Sequence, residues 1–307
     1  MAEIISAARY NELQGRIAAL LGVGSGDKGY NQVVSSSSQP IATTVLATHM
    51  NDLYSDFEKV YVHILGTTPT NSGPIPTTIA TVAIEDDITE ALYAAYETLI
   101  NSLESQRFDI SLTQATTSSA GVNSVKNGAA TPWGGTSMPQ QINHTIDVSF
   151  ASPNARRGFF NAGGQIRLDA VLDISAIPSD TNLAKNQDWQ TMLSSPGQIQ
   201  FKRNTTTKTS TGGTVYAIGN ENLTSTYQKI FLKEGGATYS ENKWYIEVKE
   251  KNTSTITFNV VYWDQDVGSG GADEYIAGVL TSSFSHLRAS GSYVNTPAPS
   301  YTKTSDL

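Results

Sequence analysis

The feature that most constrains this chain is a change in the spacing of its apolar residues. Up to residue 110 they recur every three or four positions, whereas from residue 144 onward they alternate with polar residues. The first spacing is that of a helix with one buried stripe, and the second is that of a strand with one buried face. We therefore predict an α+β chain, with an N-terminal helical segment followed by an antiparallel β-sandwich or jelly-roll-like domain.

The N-terminal segment contains three predicted helices, over residues 6–21, 41–65 and 87–107. The third begins with Asp87 and Glu90, a pair spaced like a capping box. Three narrow apolar stripes offer little core of their own, so we expect them to pack on another chain or on the β-domain. This predicts a homo-oligomer, a trimer or a ring. The interface residues predicted on the second helix are Leu46, Leu53, Phe57 and Ile64.

About eight alternating segments separated by Gly-rich turns predict the β-sandwich. The region before them is rich in Ser, Thr, Gly and Asn with few aliphatic residues, which is typical of a linker or a long surface loop. The end of the chain has two prolines and no apolar period, so it is expected to be flexible, or ordered only by a partner. The predicted parts are a helical docking region (1–110), the linker or loop (111–143), the β-sandwich (144–295) and a flexible tail (296–307).

Residues 154–164 are predicted to form a corner before a strand. Arg156 and Arg157 precede Phe159 and Phe160, and glycines then permit a sharp turn. We expect the two phenylalanines to pack inward while the two arginines bind carbonyl groups or an adjacent subunit. The alternative is a simple loop before the strand.

Several classes of partner are not expected. The formal net charge is -8 and no segment concentrates Lys or Arg, which argues against nucleic acid. No apolar run approaches the ~18 residues of a bilayer span, so no membrane insertion is predicted. The first residues interrupt their apolar positions with charges, unlike a signal peptide. There is no cysteine, which excludes disulfides and thiolate metal sites.

A nucleotide site is not predicted either. Gly24, Gly26 and Gly29 satisfy a GxGxxG spacing, but they follow a predicted helix where a dinucleotide-binding loop follows a strand. Lys28 does not complete a phosphate-binding loop, since no Ser or Thr follows it. We interpret the glycines as a helix stop and turn, and we expect no cofactor.

One acidic loop is the only plausible ion site. Asp264, Asp266, Asp273 and Glu274 crowd a Gly-rich stretch, and calcium favours such oxygen-rich loops. The spacing does not match the EF-hand loop, however, so a solvated acidic loop is favoured and no metal is assigned. A glycosidase pair cannot be argued from spacing alone, and the four histidines lie in separate segments. We predict that the chain is not an enzyme.

One hypothesis for the function of the β-domain is that it is a receptor-binding module that recognises a host surface glycan. Aromatic rings that stack on sugars would be Trp133, Trp244 and Trp263. Trp244 begins an alternating set, which favours a place in the core instead.

Four segments carry a resemblance to a known family: YNELQGRIAALLGVGSGDKGY (10–30), HTIDVSFASPNARRGFFNAGGQIRLDAVL (144–172), TSTYQKIFLKEGGATYSENKWYIEVK (224–249) and GGADEYIAGVL (270–280). Their order and content resemble virion structural proteins of contractile-tailed, myovirus-type cyanophages. The resemblance implies a particle component, assembled in the host cytoplasm, whose partners are other phage virion proteins. It supplies no catalytic residue. A tail-associated position at the baseplate, a fibre attachment or the neck is expected, with a head decoration protein as the alternative.

Overall fold

The computed structural model describes residues 6–84, 86–177, 183–266 and 274–306. It contains 28% helix and 31% strand, with two antiparallel sheets, which confirms the predicted α+β class. The chain forms two compact units. The helical unit comprises residues 1–116, 153–164 and 288–297, and the β unit comprises 117–152, 165–287 and 298–307. The sequence suggested consecutive parts, whereas the units alternate along the chain.

The helical unit contains four α-helices among its described residues: α1 (Ala7–Leu21), α2 (Ala47–Leu65), α3 (Glu90–Ser105) and α4 (Pro153–Asn161). Ser6 caps α1, and Gly66 ends α2 in the left-handed conformation (φ 77°). Helix α3 begins later than predicted, because the side chain of Thr89, and not that of Asp87, accepts the hydrogen bond from the Leu92 N–H (3.2 Å).

Helices α1, α2 and α3 run parallel to one another. Arg9 pairs with Glu90 near the N-terminal ends of α1 and α3 (2.6 Å), and Arg16 pairs with Glu104 towards their C-terminal ends (2.7 Å). The Tyr10 hydroxyl of α1 donates to a carbonyl in the first turn of α2 (3.2 Å). Parallel neighbours need connections that return along the bundle, and the long connectors, residues 22–46, 66–84 and 86–89, contain no helix or strand.

The apolar stripes of these helices face one another and form one core. Its helical members are buried residues of α1, α2 and α3, including Tyr10, Ile17, Leu53, Phe57, Tyr96 and Leu103. Phe57 meets Tyr96 edge-on at 5.0 Å. The expectation that the stripes would pack on another chain or on the β-domain is therefore corrected, because the three stripes and the two connectors together form a core.

The β unit has two sheets and one further helix among its described residues. Its elements are β1 (Ala115–Asn127), β2 (Gln141–Ser149), β3 (Gln165–Asp173), α5 (Leu183–Ser194), β4 (Ile199–Phe201), β5 (Thr206–Lys208), β6 (Thr214–Val215), β7 (Gln228–Glu234), β8 (Lys243–Asn252), β9 (Thr255–Trp263), β10 (Val279–Ala289) and β11 (Ser300–Asp306). The first sheet has the order β1-β10-β3-β4-β5 and the second has the order β11-β2-β9-β8-β7-β6.

The two sheets pack face to face through aromatic side chains. Phe258 of the second sheet meets Phe201 (5.4 Å) and Phe284 (5.7 Å) of the first. Within the second sheet, Trp244 stacks on Tyr262, its partner in the β8–β9 register. Each of these residues lies at an inward position of an alternating strand, as the period of two predicts.

Three segments differ from the sequence prediction. The predicted linker 111–143 contains strand β1 and the beginning of β2, and the predicted flexible tail contains β11, which pairs antiparallel with β2. Both β1 and β11 are edge strands, which cover little core and so carry few aliphatic residues. The predicted corner at 154–164 is instead the helix α4 followed by a turn at Gly163 (φ 78°).

Candidate assembly surface

The β unit has two open sheet edges on the same side. Strand β1 borders β10 in the first sheet, and β11 ends the second sheet. Tyr301 of β11 packs across onto β10, where its ring lies 6.4 Å from that of Phe284 and its hydroxyl donates to the Ser285 carbonyl (3.4 Å). At the opposite side, β5 and β6 follow each other in sequence and end the two sheets. Strands β1 and β11 are thus the edge strands at one side of the β unit.

Strand β1 is long and weakly protected against pairing. It has 13 residues, and from Thr117 to Asn127 every odd position is exposed. Lys126 is its one charged residue, and it has no proline. Gly121 takes φ 68°, so the strand bends near its middle. Natural edge strands are usually short, charged or covered, because free N–H and C=O groups invite another strand.

The edge of β1 can bind a partner through its backbone groups. A further strand laid beside β1 would satisfy its outward N–H and C=O groups, as in β-strand addition. The outward side chains are small or of moderate size, among them Thr117, Ser119 and Asn123, and they repel neither a neutral nor a charged strand. Val125, which is 45% exposed, adds an apolar contact at the C-terminal half.

The interface residues predicted on α2 lie instead in the core of the helical unit, with one exception. Leu53, Phe57 and Ile64 are buried against the other helices. Leu46 is 53% exposed and stands just before α2, where it takes the N-cap position. A stripe that meets its own neighbours has no free surface for a second subunit, so Leu46 alone among the four is accessible.

The second predicted set, Arg156, Arg157, Phe159 and Phe160, lies on α4 in the helical unit. Arg157 donates to the Val23 carbonyl (2.9 Å) and to the Asn154 side chain (3.0 Å), as predicted for an arginine that binds carbonyl groups. Arg156 is buried. Phe159 and Phe160 are buried and meet edge-on at 5.0 Å. Arg157 thus fastens α4 to the turn after α1, through a bond within the chain.

The β unit encloses a serine–histidine pair. His144 Nδ1 lies 2.8 Å from Ser282 Oγ, which in turn lies 2.6 Å from the Tyr262 hydroxyl. All three side chains are buried between the sheets, and burial raises the pKa of the Tyr262 hydroxyl. A nucleophile needs an opening through which substrate can reach it. The enclosed trio therefore acts as a polar tie between β2, β9 and β10.

The acidic loop differs from the solvated loop favoured by sequence. Asp264 is buried, and its Oδ2 lies 2.6 Å from Lys185 Nζ of α5. Asp266 and Glu274 are partly exposed, whereas Asp273 and the glycines 268, 270 and 271 lie outside the described residues. In the described part of the chain, no three His, Asp or Glu side chains converge as metal ligands would. Sequence reasoning did not find Lys185.

The tryptophans proposed for glycan stacking are mostly inaccessible. Trp133 and Trp244 are fully buried, as the core interpretation of Trp244 predicted. Trp263 is half-buried, and the Lys243 ammonium lies 5.9 Å from its ring centre. Of the three candidates, Trp263 alone retains accessible surface.

Within the described residues, no helix has the length and apolar character needed to cross a bilayer. Comparison of the chain with protein-family models, with curated proteins and with solved structures found no match in any of the three.

Proposed function

We propose that this protein is a non-enzymatic structural component of a tailed bacteriophage particle, associated with the tail at the baseplate, a fibre attachment or the neck. Its work is to bind neighbouring subunits, and its partners are other virion proteins and copies of itself in a trimer or ring. The observation that carries this proposal is the side of the β unit where β1 and β11 are edge strands, with no further strand beside either of them among the described residues.

The edges support an assembly role because of their length and chemistry. A strand of 13 residues with one charge is exposed to pairing over about 40 Å. In a monomer such an edge promotes aggregation, whereas in an assembled particle a neighbouring subunit covers it. The low charged fraction of 16%, against about 25% in typical soluble domains, also suits a chain whose surface is largely in contact with partners.

The buried polar groups support a binding role over a catalytic one. His144 and Ser282 are enclosed between the sheets. The resemblance of the N-terminal and β-region segments to cyanophage virion proteins supports the same class and brings no catalytic residue with it. Both observations bear on the class of protein, whereas the tail position is a proposal that the copy number of the chain tests.

The experiment that tests the proposal is the copy number of this chain in purified particles of the phage that carries it. Quantitative mass spectrometry against the portal and major capsid proteins provides the measurement. A small multiple of three or six is expected for a tail, neck or fibre protein. Hundreds of copies would contradict the tail position and indicate a head protein, and absence from particles would overturn the structural role.

A further inference from the structure

Among its described residues, the β unit contains one fully buried ion pair with unusual geometry. Lys185 Nζ of α5 lies 2.6 Å from Oδ2 of Asp264, just after β9, and neither side chain has any exposed surface. Despite this approach, neither carboxylate oxygen of Asp264 has a hydrogen bond of ordinary geometry within the described residues. The Asp264 Cγ is bonded to Oδ2, so it lies at most one C–O bond farther from Nζ.

The surrounding structure holds the two groups together. Lys185 Nζ donates to the backbone carbonyls of Asp266 (3.3 Å) and Glu274 (3.1 Å), which fix the end of its flexible side chain. On the other side, the glycine at 134 makes room for the carboxyl group, because a Cβ there would stand 2.2 Å from Asp264 Oδ2. The reacting groups are therefore already positioned, which removes much of the entropic cost of bringing them together.

Apolar and aromatic side chains close the site. Trp189 lies one helical turn after Lys185 on α5 and meets Trp133 edge-on at 5.0 Å. Ile276, which bridges to Trp133, is also fully buried. In such surroundings two charges are costly, and a neutral amine beside a neutral carboxylic acid becomes favourable by comparison. Burial raises the pKa of the Asp264 carboxyl to about 6, although the Lys185 ammonium opposes the rise.

We propose that Lys185 and Asp264 condense to form an intramolecular isopeptide bond that joins α5 to the chain after β9. A proton passes from the Lys185 ammonium to the Asp264 carboxylate, and the free amine attacks Cγ. The tetrahedral intermediate then loses its hydroxyl together with a proton from the nitrogen, as one water molecule. The product is a neutral secondary amide, and no oxidant, reductant or co-reactant takes part.

Asp266 is the residue placed to carry the proton. Its Oδ2 lies 3.8 Å from Lys185 Nζ, and it keeps contact with solvent, being 19% exposed at its side chain. A carboxylate there takes a proton from the attacking nitrogen and returns it to the leaving hydroxyl, which is general acid–base catalysis. The Asn242 side chain fixes this loop by accepting from the Gln265 (2.9 Å) and Asp266 (3.1 Å) N–H groups.

The test is the mass of the full-length protein under denaturing conditions, where an ion pair separates and an amide does not. We expect a mass lower than that of the linear chain by one water molecule, and a branched peptide joining the segments around Lys185 and Asp264 after proteolysis. Lys185→Met and Asp264→Ala each remove one of the two reacting groups, so each variant should have the full mass calculated for its own linear sequence.

A matched control is available at Lys251, whose Nζ also lies 2.6 Å from a carboxylate, that of Asp147, but whose side chain is 52% exposed. Lys251→Met should leave the missing water unchanged, since water stabilises the separated charges there. Asp266→Asn should leave a part of the molecules uncondensed.

One outcome would overturn the bond, and another would overturn only the role of Asp266. Wild-type protein at the full linear mass, with Lys185 and Asp264 recovered in separate unmodified peptides, would overturn the proposal, and this reading needs no variant to fold. Complete condensation in Asp266→Asn would overturn the role given to Asp266 and leave the bond itself intact.

Discussion

The Asp56 carboxylate of helix α2 accepts hydrogen bonds from both the backbone N–H (2.8 Å) and the hydroxyl (2.7 Å) of Ser36. It also accepts from the Ser35 N–H (2.9 Å) and lies 2.9 Å from the Lys59 ammonium, while its own side chain is fully buried. One acidic residue thus fastens the connector between α1 and α2 to the second helix, which explains how an extended segment stays ordered along a parallel bundle.

Replacing this carboxylate should destabilise the helical unit. Asp56→Ala leaves two backbone N–H groups and one hydroxyl without their acceptor, and we expect a loss of about 3 kcal/mol in the free energy of unfolding. Urea denaturation followed by circular dichroism provides the measurement. Asp52→Ala, at an exposed position one turn earlier, should change the stability by less than about 0.5 kcal/mol. Equal losses for the two variants would contradict the role of Asp56.

His63 should make the stability depend on pH. Burial lowers its pKa from 6.5 to about 4, against a smaller opposing effect of the Ala162 backbone, and its ring packs 4.9 Å from that of Tyr30. Because the folded state holds the neutral form, the unfolded state binds more protons between these two pKa values. The stability that depends on neutral His63 is therefore fully present above pH 6.5, and it declines as the pH falls towards 4.

As the pH falls from neutral to about pH 5, we expect the burial of neutral His63 to lower the free energy of unfolding by about 2 kcal/mol. His63→Phe keeps an aromatic ring and removes the titration, so the difference in stability between variant and wild type should grow in favour of the variant as the pH falls. Denaturant unfolding of both proteins at the two pH values provides the measurement. A difference that stays constant with pH would show that His63 does not titrate in this range.

The fold class followed from the sequence because both apolar periods are strong where the core is. The stripe containing Leu53 and Phe57 and the alternation of Ile256, Phe258 and Val260 each place large side chains on one face. The partners of a stripe do not follow from its spacing, which is why residues of the helical core were assigned to an intersubunit interface.

The candidate site was harder to predict for two physical reasons. Strand β1 alternates in exposure, but its inward positions hold small or polar residues such as Ser118, Ala120 and Ser124, so hydrophobicity does not reveal the period. Lys185 and Asp264 are distant in sequence, and their contact depends on how α5 packs against the sheets. Short helices such as α4, with its paired arginines, also lack an apolar period long enough to recognise.

The glycines of the GxGxxG match should prove to be packing residues. Gly29 has φ 103°, and a Cβ there would stand 2.0 Å from the Val23 carbonyl oxygen. Gly29→Ala should therefore cost more than about 3 kcal/mol, since backbone atoms must move. Gly26 has φ 56° but open space around its Cβ, so Gly26→Ala should cost only about 1 kcal/mol. Thermal unfolding of the two variants provides the measurement, and similar losses of stability in both would contradict the steric argument.

The last prediction concerns association through the open edge of β1. A lysine at Val125, which is 45% exposed, places a charge beside the free backbone groups, as natural edge strands do to prevent pairing. Val125→Lys should weaken self-association by about tenfold or more, corresponding to about 1.4 kcal/mol, without changing the circular dichroism spectrum. The control is Val171→Lys, at a valine that is 57% exposed on the inner strand β3 and that pairs with Thr281 of β10. Sedimentation velocity over a range of concentrations measures both variants, and equal association of Val125→Lys and wild type would exclude β1 from the interface.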